Sequence, residues 1–186
     1  DTLSLHDALP ISILPSASAV TNIATNVRSY NEAIAFAGAL PRISYDHKFY
    51  NCANSACTSG NETAVMGTGY GDNVQSPSVM IGADGKPVVG FVSHLNPRYA
   101  FIEKCTDAAC VNLVPPQSVN PAASPNGLYS FDADAGAMTQ GSDGLPVMTY
   151  LDRNTGTVWV TKCASASCVG ANTNTMVGAV RGGYTS

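Results

Sequence analysis

Six cysteines are the residues of this chain whose type and spacing most clearly specify chemistry. They form three pairs, each with four residues between its members: Cys52/Cys57, Cys105/Cys110 and Cys163/Cys168. A cysteine that ends one strand and another five positions later face each other across a short hairpin loop, near disulfide range. Zinc would need four ligands at one point, and no histidine lies close to the second or third pair. The spacing favours disulfides over metal ligands or free thiols, each fixing a turn at the outer edge of a sheet.

A second set of chemically capable residues follows three similar strand-like segments: Asp46, His47, His94, Asp152 and Arg153. Polar loop residues on a rigid scaffold are where ligands are commonly bound. Asp46 beside His47 could also act as a general base pair, although solvated loop residues are the more common outcome. No nucleophile elbow, zinc-protease, Walker or dinucleotide motif is present. These five residues are therefore candidate ligand-binding residues, and no catalytic residue is assigned.

The cysteine pairs belong to a repeat that organises most of the chain. Each pair is preceded by a segment of the form proline, any residue, apolar, small, aromatic, and the last two pairs follow a lysine. The first cysteines lie roughly 55 residues apart, a period typical of propellers and other β arrays. The aligned segments are residues 41–45, 87–91 and 146–150, with similar turns at 82–86 and 141–145 and lysines at Lys104 and Lys162.

Composition agrees with a β-rich chain in an oxidising compartment. The 186 residues carry a net charge of -4, and only 12% are charged, against about a quarter in a typical globular chain. This low fraction, with 17 Gly and 11 Pro, argues against long surface helices and coiled coils. Scattered Lys and Arg exclude a nucleic-acid footprint, and no apolar run is long enough to cross a membrane. Three disulfides predict a secreted, cell-surface or periplasmic protein.

Each copy is expected to form four short strands. In the second copy Asp84 and Gly85 are expected to supply the positive φ angles of a tight hairpin turn. A four-stranded sheet cannot bury two apolar faces alone, so the copies should stack on one another. The expected strands of the second copy are 78–81, 88–93, 99–105 and 111–114, and 157–162 is expected as a strand of the third. The expected core residues are Val79, Ile81, Val89, Phe91, Phe101, Val147 and Trp159.

The predicted fold class is therefore all-β: three four-stranded antiparallel blades of an incomplete β-propeller. Residues 1–11 resemble a translated sequencing adapter, and residues 12–29 form an N-terminal segment that could include the tail of a signal peptide. The predicted blades are residues 30–77 (degenerate, with a shortened second hairpin), 78–130, and 131–186, the last including the start of a further blade. Three blades cannot close a ring, so we expect a fragment of a larger propeller.

The pattern G-x-D-G-x-P-V-x-x-Y, followed by a strand that ends in K-C-x4-C, resembles repeats of secreted bacterial sialidase-like (neuraminidase or BNR-type) β-propeller proteins. Residues 82–110 carry it with Phe91 in place of the tyrosine, residues 141–168 carry it in full, and residues 38–57 carry a degraded form. The turns do not match a true sialidase Asp-box. The resemblance implies the architecture and leaves activity open, because one fold hosts many functions.

Two main functional hypotheses follow. The first is a fragment of a secreted repeat propeller that acts as a non-catalytic scaffold, with a glycan or a surface protein as partner. The alternative is a fragment of a sialidase-like glycoside hydrolase whose arginine cluster, acid and tyrosine–glutamate pair lie mostly outside this chain. A third hypothesis is that the fragment has no function of its own and that its exposed sheet edges make it prone to aggregation. No cofactor, metal, nucleic acid or membrane span is expected, and the sequence favours a non-enzyme.

Overall fold

A computed structural model describes residues 32–67, 69, 73–93, 95, 98–120 and 133–179. Within these ranges the chain is all-β: it has twelve strands in three four-stranded antiparallel sheets and no α-helix. Each sheet is a meander, in which every strand pairs with the next along the chain. The all-β class and the four strands of each copy are confirmed. The predicted adapter and N-terminal segments lie outside the described residues.

The strands are named in chain order. Sheet 1 contains β1 Glu32–Ala37, β2 Leu40–Tyr45, β3 Lys48–Cys52 and β4 Gly60–Val65. Sheet 2 contains β5 Val74–Ile81, β6 Pro87–Ser93, β7 Ala100–Lys104 and β8 Gln117–Ser118. Sheet 3 contains β9 Ala133–Gln140, β10 Pro146–Asp152, β11 Thr157–Lys162 and β12 Thr173–Ala179.

The fourth strand of sheet 2 lies further along the chain than the predicted 111–114. Leu113 forms an isolated bridge with Cys105, and the Val114 N–H still donates to the Lys104 carbonyl at 2.8 Å. Pro115 and Pro116 then interrupt the ladder, because proline has no N–H to donate. The named strand β8 therefore begins only after them.

The turn between β5 and β6 also differs in detail from its prediction. Of the two residues expected to have positive φ, Gly85 alone has it, at 75°. Its N–H donates to the Gly82 carbonyl at 2.9 Å, and the Gly82 N–H donates to the Lys86 carbonyl at 2.8 Å. The Asp84 carboxylate instead accepts the Lys86 N–H at 3.3 Å. Asp84 thus closes the turn through its side chain while its backbone stays in an ordinary conformation.

The sheets stack in chain order, with β1 beside β5 and β5 beside β9. We define the leading face of a sheet as the side that faces the preceding sheet and the trailing face as the side that faces the next. Phe49 and Met66 of sheet 1 pack against Val79 and Val89 on the leading face of sheet 2. The other side of sheet 2 packs against sheet 3, with Val88, Val92 and Ile102 facing Met148 and Tyr150. Sheet 2 is therefore covered on both faces.

Most of the expected core is buried, including Trp159. Ile81 and Val147 are only half-buried. Successive side chains of a strand point to opposite faces. In β10 the residues turned towards sheet 2 are Met148 and Tyr150, so Val147 lies on the trailing face. The residues that are buried as predicted are Val79, Val89, Phe91, Phe101 and Trp159.

Candidate functional site

The first candidate residues form the turn between β2 and β3. Asp46 and His47 are its only two residues, and the pair Tyr45 and Lys48 closes the hairpin behind them. Asp46 adopts a φ of 52°, which aspartate tolerates better than most residues. The His47 Nδ1 lies 3.8 Å from Asp46 Oδ1, an ion-pair distance rather than a hydrogen bond. The His47 carbonyl accepts the Met66 N–H at 2.7 Å, which ties the turn to the end of sheet 1.

A group of polar side chains, which we name the Glu62 cluster, lies beside this turn and consists of Tyr45, Lys48 and Glu62. Glu62 Oε2 accepts from the Tyr45 hydroxyl at 2.9 Å and from Lys48 Nζ at 3.1 Å. Burial, followed by the hydrogen bond to Glu62, raises the pKa of Tyr45 well above its usual range. Tyr45 therefore stays a protonated donor, and the cluster presents a half-exposed carboxylate held by two donors.

Asp152 and Arg153 lie at the corresponding turn of sheet 3. Asp152 is buried, and its carboxylate accepts the Asn154 N–H at 3.1 Å and the Thr155 hydroxyl at 2.6 Å. These hydrogen bonds shape the turn from within, as a side-chain turn cap does. Arg153 is half-buried at the same turn. A role of either residue in ligand binding stays a prediction.

The candidate residues thus lie at equivalent turns of different sheets. His94, predicted at the turn between β6 and β7, lies outside the described residues. That turn spans six residues, against two in sheet 1 and four in sheet 3. The predicted shortening of the second hairpin in the first copy is therefore present. The structure brings Asp46 and His47 together, and separately Asp152 and Arg153, each pair within its own turn.

All three predicted disulfides are present, with Cα atoms 4.7 to 4.8 Å apart. Their loops share one construction. The second cysteine has a positive φ, and its N–H donates to the carbonyl of the residue three positions earlier. The side-chain oxygen of that same residue accepts the N–H that follows the second cysteine. The residue is Asn54, Asp107 or Ser165 in the three copies.

Two of these disulfides do more than fix an outer turn, contrary to the expectation from their spacing. Cys105 and Cys110 pack in the cluster between sheets 1 and 2, and Cys163 and Cys168 pack in the cluster between sheets 2 and 3. The loop of the second pair also receives hydrogen bonds from sheet 1. The Ala109 carbonyl accepts from Asn51 Nδ2 and from Thr63 Oγ1, the latter at 3.0 Å. These disulfides therefore help to join neighbouring sheets.

Glu103 is a buried acid for which no sequence motif indicates a role. It lies in β7 opposite Val89, on the leading face of sheet 2. Its Oε2 accepts the Gly67 N–H at 3.0 Å, and burial raises its pKa to about 7. Thr161 holds the equivalent position in sheet 3 and donates to the Val119 carbonyl at 2.9 Å. Each side chain thus anchors the segment that leaves the preceding sheet. The sequence feature that could have indicated the role of Glu103 is its position as a single glutamate inside an apolar strand.

The described residues contain no group of three or more His, Cys, Asp or Glu side chains able to hold a metal ion. No helix in this part of the chain is long and apolar enough to cross a membrane. The three disulfides point to an extracellular or otherwise oxidising environment.

Comparison with known proteins gives a likeness in fold. No family model and no curated protein sequence matches the chain. Over 73% of its length the chain is similar to the crystal structure of 1,3Gal43A, an exo-beta-1,3-galactanase from Clostridium thermocellum, with a TM-score of 0.55 and 10% sequence identity. The chain spans about a third of that protein, 34% of its length. At this identity the likeness concerns the fold alone.

Proposed function

We propose that this chain is part of a secreted β-propeller protein and acts as a non-catalytic glycan-binding scaffold. The neighbouring first strands β1, β5 and β9 support the propeller arrangement, because radially arranged sheets place these strands side by side. The likeness to an exo-beta-1,3-galactanase supports a glycan as the ligand class. The three disulfides support export.

The observation that carries the binding proposal is the contrast between a constant frame and variable turns. The disulfide loops repeat one hydrogen-bond pattern in all three sheets. The turns between second and third strands instead differ in length and in polar residues, with Asp46 and His47 in sheet 1 and Asp152 and Arg153 in sheet 3. A rigid frame with variable polar turns is the usual construction of a binding surface.

A glycan panel tests the proposal directly. The oxidised chain is screened against immobilised neutral and acidic oligosaccharides, with β-1,3-galactan included because of the structural neighbour. We expect a bound glycan whose affinity falls about tenfold in the double variant Asp46→Asn, His47→Ala, since removing one or two ligand hydrogen bonds costs on the order of 1–3 kcal/mol.

The matched control is Thr58→Ala, a polar change on the disulfide loop of the same sheet, which should bind as the parent does. Unchanged affinity in the double variant would remove Asp46 and His47 from the site. Failure of every glycan class to bind would overturn the proposal as a whole.

A part of a sialidase-like glycoside hydrolase is the second candidate function. It is favoured by the hydrogen bond between Tyr45 and Glu62, because sialidase chemistry needs a tyrosine paired with a glutamate. The raised pKa of Tyr45 opposes the role of a nucleophile at neutral pH. Release of an aryl leaving group from a sialoside or a galactoside, lost in Tyr45→Phe and kept in Tyr50→Phe, would establish it. An inactive parent chain would leave the binding proposal as the working one.

A further inference from the structure

The trailing face of sheet 3 carries apolar residues against which no other sheet of the described residues packs. Val147, Leu151, Val158 and Val160 alternate with the residues that face sheet 2, and all four are only partly buried. Val147 and Leu151 lie in β10, and Val158 and Val160 lie opposite or beside them in β11. Together they form an aliphatic surface that spans the two central strands.

The equivalent positions of sheet 2 indicate what packs against such a surface. When the copies are aligned on Pro87 and Pro146, these four positions correspond to four residues of sheet 2 that are fully buried. Those residues are Val88, Val92, Ala100 and Ile102, all at 0% exposure. Sheet 3 buries them by placing Met148, Tyr150 and Trp159 against them. The same positions are thus apolar in both sheets, and in sheet 2 the cover is the leading face of another sheet.

A leading face without a partner exists on the same chain. Ile34 and Phe36 lie on the leading face of sheet 1, opposite Ile43 and Pro41, and are 56% and 59% exposed. In sheet 2 the position equivalent to Ile34 is Val79, which is 7% exposed because sheet 1 covers it. The chain therefore carries both halves of the contact that it makes twice internally.

We infer that the trailing face of sheet 3 binds the leading face of sheet 1 of a second copy of this chain, in a head-to-tail contact that continues the internal stacking. The contact is heterologous, so each copy retains one face of each kind for a further partner. Two copies joined at both ends would give a ring of six sheets, within the usual range of four to eight.

The test is the mass of the oxidised full chain, measured by light scattering and sedimentation over a wide concentration range. We expect concentration-dependent association. The variants Val160→Lys on sheet 3 and Ile34→Lys on sheet 1 should each raise the dissociation constant about tenfold or more, because each would bury an unpaired charge. Both positions are at least partly exposed in the isolated chain, so each variant should keep its disulfides and its far-ultraviolet spectrum.

Mixing the two variants separates this contact from others. The Val160→Lys copy keeps an intact sheet 1, and the Ile34→Lys copy keeps an intact sheet 3, so an equimolar mixture should associate although neither variant does alone. Val169→Lys is the control and should associate as the parent does, because Val169 lies on the disulfide loop of sheet 3 and the equivalent Val111 stays 55% exposed although sheet 2 is covered on both faces. A monomeric parent at every concentration would overturn the inference, and so would a mixture that fails to associate or an Ile34→Lys variant that associates normally.

Discussion

Lys104 Nζ lies 2.6 Å from Asp84 Oδ2 and joins the last residue of β7 to the turn between β5 and β6. The equivalent pair in sheet 3, Lys162 and Asp143, has the same distance. These pairs explain why a lysine before the cysteine accompanies an aspartate in the turn. Sheet 1 has neither: its first turn contains Gly38 and Ala39, and Asn51 precedes its first cysteine. The lysine before the cysteine and the aspartate in the turn are thus the two partners of one ion pair, and a sheet has either both or neither.

The coupling free energy between Asp84 and Lys104 should be small and should depend on pH and on salt concentration. The hydrogen bond from Lys104 lowers the pKa of Asp84, so its contribution to stability is complete above the usual aspartate range and is lost as pH falls through the lowered value. The carboxylate is largely exposed, so solvent screening keeps the coupling to about 0.2–1 kcal/mol. A double-mutant cycle with Asp84→Asn and Lys104→Met, read by urea unfolding at pH 7 and at two salt concentrations, measures it. Coupling that does not shrink in high salt would contradict this assignment.

Glu103 should make the protein less stable as pH rises. Its pKa is about 7 when folded, against an ordinary value of 4.5, so the folded state binds the extra proton between these limits. Its favourable contribution is therefore complete below about pH 4.5 and lost as pH approaches 7. Glu103→Gln keeps an acceptor for the Gly67 N–H and should gain on the order of 1–3 kcal/mol over the parent at pH 8. Urea midpoints at pH 5 and pH 8 measure the change.

The control for Glu103 is Glu62→Gln, which also removes one carboxylate but on the exposed side of sheet 1. In this variant the urea midpoints at pH 5 and pH 8 should differ by as much as they do in the parent. A Glu103→Gln protein that keeps the full pH difference of the parent would show that other groups set it.

The three disulfides should not be reduced together. Cys57 is half-buried, whereas Cys110 and Cys168 are buried between sheets. Exchange with an external thiol needs access to a sulfur. We expect mild reductant, added at a concentration where the chain is monomeric, to open Cys52–Cys57 first, as seen by alkylation and peptide mass analysis. Simultaneous reduction of all three pairs would instead indicate that global unfolding controls access.

Two turn glycines allow a matched comparison of backbone strain and crowding. Gly85 and Gly144 have φ values of 75° and 80°. An alanine at Gly85 meets open space, so Gly85→Ala should cost roughly 1–2 kcal/mol from conformation alone. At Gly144 the new Cβ would lie 3.0 Å from the Cβ of Ala83 in the turn of sheet 2, so Gly144→Ala should cost more. Thermal unfolding ranks the two, and an equal loss would argue against contact between the turns.

Periodic and local features of this fold could be predicted from the sequence, and contacts between copies could not. The β11 strand Thr157–Lys162 and the disulfide spacing are local, and both are present as predicted. The position of β8 depends on Pro115 and Pro116, because both lack an N–H for the ladder and the sequence does not show where strand pairing resumes after them. The roles of Asp152 and Glu103 depended on which backbone donors surround each carboxylate, which the spacing of residues does not specify. Val147 and Met148 show the same limit. The alternation of side chains along a strand defines two faces of the sheet, but it does not tell which face packs against the neighbouring sheet.

The construction of the disulfide loops has a consequence for how the protein is made. Six cysteines permit 15 pairings, yet each native pair closes within its own hairpin around a turn that its own Asn54, Asp107 or Ser165 holds. Correct oxidation therefore needs no contact between distant parts of the chain. Each bond can form as soon as its own hairpin has formed in an oxidising environment, before the cysteines of later repeats compete for it. A duplicated unit contains both cysteines of its disulfide and the turn that brings them together, so an array of this kind can lengthen without new pairing errors.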